Sequence, residues 1–284
     1  MIRAAALALL LALAPASIHA QGVRAQGAAA PAAAWAALPG PLAGPPRIVG
    51  HTGLGCIAGA VSLPADGPGW QAVRLSRNRT WGHPALVAAL RDLAALARAQ
   101  GLPTLWIGDL GQPRGGPMPY GHASHQAGLD ADIWLDLSPK PALSPAAREA
   151  IEVPSLVLPD ESGVDPARWT PRHGALIRIA AELPEVDRIF VNHAIKRELC
   201  RTEAGAAWLH RVRPWRGHDS HMHVRLRCPP GQAECKDQAP VPPGDGCDAS
   251  LDWWLSAEAR HPPPRPPGPP PRLPAACQAI LEAR

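Results

Sequence analysis

The sequence predicts an α+β fold: a small antiparallel sheet flanked by helices and long loops in a single disulfide-stapled domain. Three observations predict it. The 36 prolines and 26 glycines among 284 residues argue against a helical bundle. Segments with apolar residues at helical spacing interleave with segments that alternate apolar and polar residues. Six cysteines, an even number with no CxxC pair, fit disulfides in an exported chain. With one Phe and one Tyr beside ten Trp, tryptophan carries the aromatic packing.

Taken in order, residues 1–20 read as a secretory signal peptide: Arg3 precedes the apolar run Ala4 to Ala16, and Ala20 precedes Gln21. That run is too short to span a bilayer and no later segment resembles a span, so no stable membrane insertion is expected. Residues 21–47, rich in Ala, Pro and Gly, read as a flexible leader. The domain is expected over 48–284, with loops and short strands such as Gln71 to Leu75 first. His83-Pro84 opens a helix with Leu86, Leu90, Leu93 and Ala97 at helical spacing and its end at Gly101. Thr104 to Gly108 reads as a buried strand, and Gly111 to Gly121 as a loop.

Leu129 to Leu137 alternates, with Ala131, Ile133 and Leu135 on one face and Asp130, Asp132, Trp134 and Asp136 on the other. An acidic face on a strand suggests that it borders a cleft. Residues 138–168 carry no clear periodicity. Thr170-Pro171 caps a helix through Glu182, Val186 to Val191 reads as a strand, and helices follow at Ala194 to Cys200 and Ala206 to Arg213. His221 to Arg227 alternates again, with Met222, Val224 and Leu226 opposite His221, His223, Arg225 and Arg227. After Cys228 the chain reads as loop, ending in a polyproline strap, Pro262 to Pro274, before Cys277. Cys228 and Cys235, with Pro229-Pro230-Gly231 between them, are the one pairing that spacing favours.

The formal charge of +4 suits an anionic polymer or surface and falls short of a nucleic-acid-binding profile. The absence of a GxSxG or SxxK element leaves a serine acyl-enzyme without support. What stands out is histidine. Gly121 to Asp132 holds His122, His125, Asp130 and Asp132, and a distant stretch holds His218, His221 and His223. Imidazole nitrogen and carboxylate oxygen are the favoured ligand types for zinc, at about 2.0–2.2 Å. His125 and Asp132 match in type, and Gly128 gives the turn between them its freedom. His221 and His223, two apart on a strand, point to one side, so one can bind a metal while the other stands over what the metal binds. Two His and one Asp leave an open coordination position, the mark of a catalytic site. Asp130 is read as orienting a histidine rather than as a ligand.

These residues resemble the penicillin-insensitive murein endopeptidases, zinc peptidases of the group that includes lysostaphin-type enzymes and D-Ala-D-Ala dipeptidases. The resemblance covers most of residues 48–280. It rests on Ile107-Gly108-Asp109, Gly121 to Ile133, Ile189-Phe190-Val191-Asn192, Ala194-Ile195-Lys196, Val212-Arg213-Pro214-Trp215, His221 to Pro229 and Gly244-Asp245-Gly246-Cys247. It implies zinc ligands at His125, Asp132 and His223, with His221 and His218 as catalytic-site histidines and His122 close enough to bind metal. The family's second metal position matches Asp160 and a histidine that falls at Gly163 here, so one of those ligands is missing. His193 stands where the family usually has proline. The implied disulfides are Cys56 with Cys277, Cys200 with Cys247 and Cys228 with Cys235.

The implied partner is peptidoglycan in the periplasm, cut at the D-alanyl to meso-diaminopimelyl amide of its crosslinks. Arg213, Arg225 and Arg227 read equally as carboxylate receptors or as solvated side chains. A D,D-carboxypeptidase or dipeptidase on the same site is the alternative enzyme, and a non-catalytic cell-wall binding protein the alternative class. The oligomeric state is not expressed in the sequence.

Overall fold

The computed structural model describes residues 32–260, 262 and 272–283. The expected signal peptide and most of the expected polyproline strap lie outside the described residues. A hairpin of β1 (Arg47–His51) and β2 (Leu54–Ala58) comes first, followed by β3 (Val61–Ser62), β4 (Asp66–Gly67), β5 (Trp70–Ala72) and β6 (Trp81–Gly82). Helix α1 (Pro84–Ala99) then leads to β7 (Leu105–Ile107), β8 (Asp130–Trp134), α2 (Pro145–Glu149), α3 (Pro171–Glu182) and β9 (Val186–Val191). After α4 (His193–Glu203) come β10 (Val212–Pro214), β11 (His221–Leu226), α5 (Ala249–Leu255), α6 (Ala257–Arg260) and α7 (Ala275–Glu282).

The fold is α+β as expected, but its main sheet is larger than a small antiparallel one. Seven strands run in the order β10-β9-β11-β8-β7-β5-β4. The central pairs β9–β11, β11–β8 and β8–β7 are antiparallel, whereas β10–β9 and β5–β7 are parallel. Parallel pairs need a crossover connection, and α1 and α4 lie in those two connections.

Each long helix follows from local chemistry. His83 caps α1 by accepting from the Ala85 amide at Nδ1, 3.1 Å, and Pro84 fills the first turn. Thr170 and His173 form a reciprocal cap at the start of α3. The segment expected as one helix over Ala206 to Arg213 is a 3₁₀ helix, Ala207–Arg211, running into β10. Pro214 ends that segment and cannot donate within a helix, and Val212–Pro214 pairs with β9 instead.

Two faces of the sheet differ in kind. Ala131, Ile133, Met222, Val224 and Leu226 join a large core with Leu86, Leu90 and Leu93 of α1 and Leu176, Ile177 and Ala180 of α3. The opposite face carries Asp130, Asp132, His221, His223 and Arg225.

A second, smaller core corrects the reading of the leader. From residue 32 onward the leader is packed: residues 32–36 are helical, and Trp35 is buried with Val49, Cys56, Cys277 and Ile280. Trp35 supplies the apolar area that an Ala/Pro/Gly stretch otherwise lacks. All three implied disulfides are present, Cys56–Cys277, Cys200–Cys247 and Cys228–Cys235. The first ties α7 to the β1–β2 hairpin, and α7, with the short α5 and α6, stands in the tail expected to be loop.

Candidate metal centre

Strand pairing brings the two histidine stretches together. In the β8–β11 register His223 lies opposite Asp132, His221 opposite Trp134 and Arg225 opposite Asp130. On its other side His223 faces Phe190 of β9, whose ring meets it edge-on at 5.3 Å. The third contributor, His125, arrives on the loop before β8. Its backbone takes the left-handed conformation, φ 64°, and its amide donates to Asp130 Oδ2 at 2.8 Å. Gly128 completes that turn at φ 69°, where a Cβ would stand 2.9 Å from Ile57 Cδ1 and 3.1 Å from the His83 amide nitrogen.

Donor atoms converge on Asp132. Its Oδ1 is 3.5 Å from His125 Nε2, 3.6 Å from His223 Nδ1 and 3.9 Å from His221 Nε2. Ligands around a tetrahedral ion with bonds of about 2.0–2.1 Å stand about 3.3 Å apart, close to these separations. Asp132 Oδ1 and His125 Nε2 are buried and have no hydrogen-bond partner. Leaving such atoms unpaired costs about 1–3 kcal/mol each, so their convergence fits a cation. The residues around them point their lone pairs inward. His125 Nδ1 is 2.6 Å from the Leu110 carbonyl oxygen, so it carries the hydrogen and Nε2 keeps the lone pair.

Asp130 is bound through both of its oxygens. Arg225 grips both of its oxygens, Nε to Oδ1 at 2.7 Å and Nη2 to Oδ2 at 3.1 Å, and His223 Nε2 lies 3.2 Å from Oδ1. Arg225 is thus committed to Asp130 and to the face of Phe190, and does not wait for a ligand. Asp109, at the end of β7, acts likewise on His122: its Oδ2 accepts from Arg77 at 3.1 Å and Arg79 at 2.9 Å, and lies 2.9 Å from His122 Nε2. That contact leaves His122 Nδ1, 3.7 Å from Asp132 Oδ2, as the nitrogen turned to the cluster. Residue spacing does not mark Asp109, which entered only within the Ile107-Gly108-Asp109 stretch of the resemblance; the adjacency of β7 and β8 brings it to His122.

Asp132 and Asp130 are held well below the usual carboxylate range: burial acts to raise them, but His125 and His221 around Asp132, and Arg225 and His223 around Asp130, outweigh it. His125 is pushed up, because Asp132 overcomes the burial that opposes its charge. His221 and His223 are pushed down by burial in spite of their carboxylate neighbours. Burial and the neighbouring His221 and His223 bring His218 down to about 4. Its carbonyl accepts from the Asn192 amide at 2.8 Å and its Nδ1 donates to the Arg216 carbonyl at 2.8 Å. The His218 and His221 rings lie 4.8 Å apart.

Asp160 stands outside this constellation. It is exposed in a turn where Oδ1 accepts from the Ser162 amide, and its carbonyl oxygen accepts from Arg260. Among the described residues two groups of three ligand atoms lie close enough to share an ion, His122 with His125 and Asp132, and His125 with Asp130 and His223. His193 is buried beside Glu161, Nε2 to Oε2 3.8 Å.

Comparison with known proteins agrees with the sequence resemblance. A family model described as penicillin-insensitive murein endopeptidase matches residues 48–282. A penicillin-insensitive murein endopeptidase of Klebsiella pneumoniae subsp. pneumoniae is 45% identical over 250 residues, 87% of this chain and 90% of that protein. The protein of that name from Yersinia enterocolitica serotype O:8 is 46% identical over 252 residues, again 87% of this chain and 90% of its own. The one from Haemophilus influenzae is 44% identical over 244 residues, 83% and 82%. The chain belongs to the penicillin-insensitive murein endopeptidase family.

Proposed function

We propose that this member of the family is an exported zinc peptidase that cuts peptidoglycan crosslinks in the periplasm, at the D-alanyl to meso-diaminopimelyl amide. The observation that carries the reading is the convergence of His125 Nε2 and His223 Nδ1 on the unpaired, buried Asp132 Oδ1. Those three side chains are the zinc ligands, and His122, held on Asp109, turns Nδ1 toward the other carboxylate oxygen, Asp132 Oδ2. Two imidazoles and one carboxylate suit zinc and leave a coordination position open to substrate.

Zinc at this site supplies Lewis-acid polarisation of the scissile carbonyl and an activated water nucleophile. The chain's own residues then move the proton. His221, kept neutral by burial, accepts it at Nε2, the nitrogen facing Asp132, and returns it to the departing amine. His218, also neutral and turned by its Nδ1–H to the Arg216 carbonyl, stands beside that transfer as a second hydrogen-bonding imidazole. The Arg225–Asp130 pair fixes the ring of His223. Export to the periplasm is supported by the signal-like residues 1–20 and by three disulfides with no free cysteine among the described residues.

Digestion of purified crosslinked muropeptides with and without a chelator tests the reading. Dimers should become monomers, and the chelator should stop it with zinc restoring it; release of free D-alanine alone would replace endopeptidase with carboxypeptidase.

A further inference from the structure

Arg74 is an arginine beside the site that lacks a carboxylate partner. Other arginines around the site are engaged: Arg77 and Arg79 with Asp109, Arg148 with Asp66, and Arg225 with Asp130. The Arg74 guanidinium has no hydrogen bond among the described residues, although Asp109, Asp132 and Glu149 act on its charge from a distance. It lies instead over the ring of Trp134, 4.7 Å from the centroid. The same indole meets His221 at 5.3 Å and an interplanar angle of 61°. One aromatic ring thus separates the free guanidinium from the histidine that moves the proton.

The backbone holds Arg74 there at some cost. Its φ of 57° and ψ of 43° are left-handed, a conformation that costs an ordinary residue about 1–2 kcal/mol. It is fixed by a bond from its amide to the Arg148 carbonyl, 3.0 Å, and one from the Arg77 amide to its own carbonyl, 3.1 Å. Its place over Trp134 engages the ring's π-face and no hydrogen-bond acceptor, so the N–H groups are left for two parallel bonds to a carboxylate. A half-buried cation held in that way lacks only the anion.

We propose that Arg74 is a specificity-determining residue that receives the substrate carboxylate beside the scissile amide. This rests on the crosslink-cleaving reading above, whose leaving amine belongs to a diaminopimelyl centre that bears a carboxylate on the adjacent carbon. A terminal D-alanyl carboxylate offers the same chemistry.

The test uses the zinc-loaded full chain, its Arg74→Met and Arg74→Lys variants, and three crosslinked muropeptide dimers: unmodified, amidated at the diaminopimelyl carboxylate next to the cut, and amidated at the terminal D-alanine. Arg74→Met should lower kcat/KM on the unmodified dimer by about 10- to 100-fold, the loss of a charged hydrogen-bonded pair, with zinc content unchanged. The wild type should fall equally on the diaminopimelyl amide, where Arg74→Met should cause no further loss. Arg74→Lys should recover part of the rate on the unmodified dimer alone. If the terminal amide removes the effect instead, Arg74 is still the receptor and the terminal carboxylate is its partner. Equal losses from amidation in wild type and Arg74→Met would overturn the proposal. A wild type that leaves every dimer intact would count against the endopeptidase reading. Calorimetric binding of free and amidated dimers to the same proteins then decides Arg74: selective weakening for the free carboxylate upholds it, and uniform weakening or none overturns it.

Discussion

Asp132 and His223 face each other across the β8–β11 pair, with His223 Nδ1 3.6 Å from Asp132 Oδ1. The relationship is a consequence of register. A one-residue slip of β11 would turn His223 into the core face and bring Met222 to the site. Antiparallel pairing in the centre of the sheet therefore sets the candidate metal centre as firmly as it sets the core.

The orientation of His223 depends on a buried ion pair. Arg225→Met should leave the Asp130 carboxylate buried without its guanidinium, lowering stability by about 3–5 kcal/mol and weakening zinc affinity about 10- to 100-fold. Urea unfolding and a competitive zinc titration check both. Wild-type affinity in a folded Arg225→Met variant would show that Asp130 does not orient the ligand.

His221 separates chemistry from binding. His221→Ala should keep its zinc and lose about 10²- to 10⁴-fold in turnover, the usual worth of a positioned proton carrier. Metal analysis beside muropeptide turnover reads both quantities. Loss of zinc in this variant would mean that His221 and His223 have exchanged roles.

Lys196 gives a pH signature away from the metal. Its ammonium is buried in α4, donating to the Leu209 carbonyl at 2.9 Å and the Asp245 carbonyl at 2.5 Å. Burial, and then repulsion from Arg213, push it down to about 8. The unfolded chain keeps this proton up to about pH 10.4, so between the two values it binds more protons than the folded chain. The charged lysine thus burdens the fold below pH 8, and the burden lifts as pH rises. Relative to Lys196→Met, wild-type stability should gain about 2 kcal/mol between pH 8 and 10 in urea unfolding. A pH-independent difference would contradict it.

The Cys56–Cys277 bridge closes 221 residues and holds α7 against β2. The adjoining Arg114 side chain donates to the Ile280 and Ala283 carbonyls, at 2.8 and 2.6 Å, so α7 also steadies the loop that leads to His125. A Cys56→Ala, Cys277→Ala variant should lose about 2–5 kcal/mol in thermal unfolding. Unchanged stability would show that the tail is not a staple.

Much of the site was legible because two strands alternate cleanly. The period of two in 129–137 and 221–227 assigned Asp130, Asp132 and His223 to the faces they occupy. Which strands pair was not legible: β5, β7 and β10 have three residues each, too few to carry a pattern, and their partners lie far along the chain. Helix α7 was missed because its ordering comes from Cys277 and Trp35 rather than from its own eight residues. Asp160 was carried in by resemblance alone, and it lies in an exposed turn away from the histidine cluster. Arg225 could equally have been solvated or a receptor; only the fold reveals that Asp130 already holds it.

The central claim is that His125, Asp132 and His223 hold the catalytic zinc while His221 works beside it. The most direct measurement is zinc per chain, paired with muropeptide turnover, in the wild type and in His125→Ala, Asp132→Ala, His223→Ala and His221→Ala, each checked for folding by circular dichroism. One zinc in the wild type and in His221→Ala, with none in the other three, and turnover in the wild type alone, is the predicted result. A full complement of zinc in folded Asp132→Ala or His223→Ala would contradict the account.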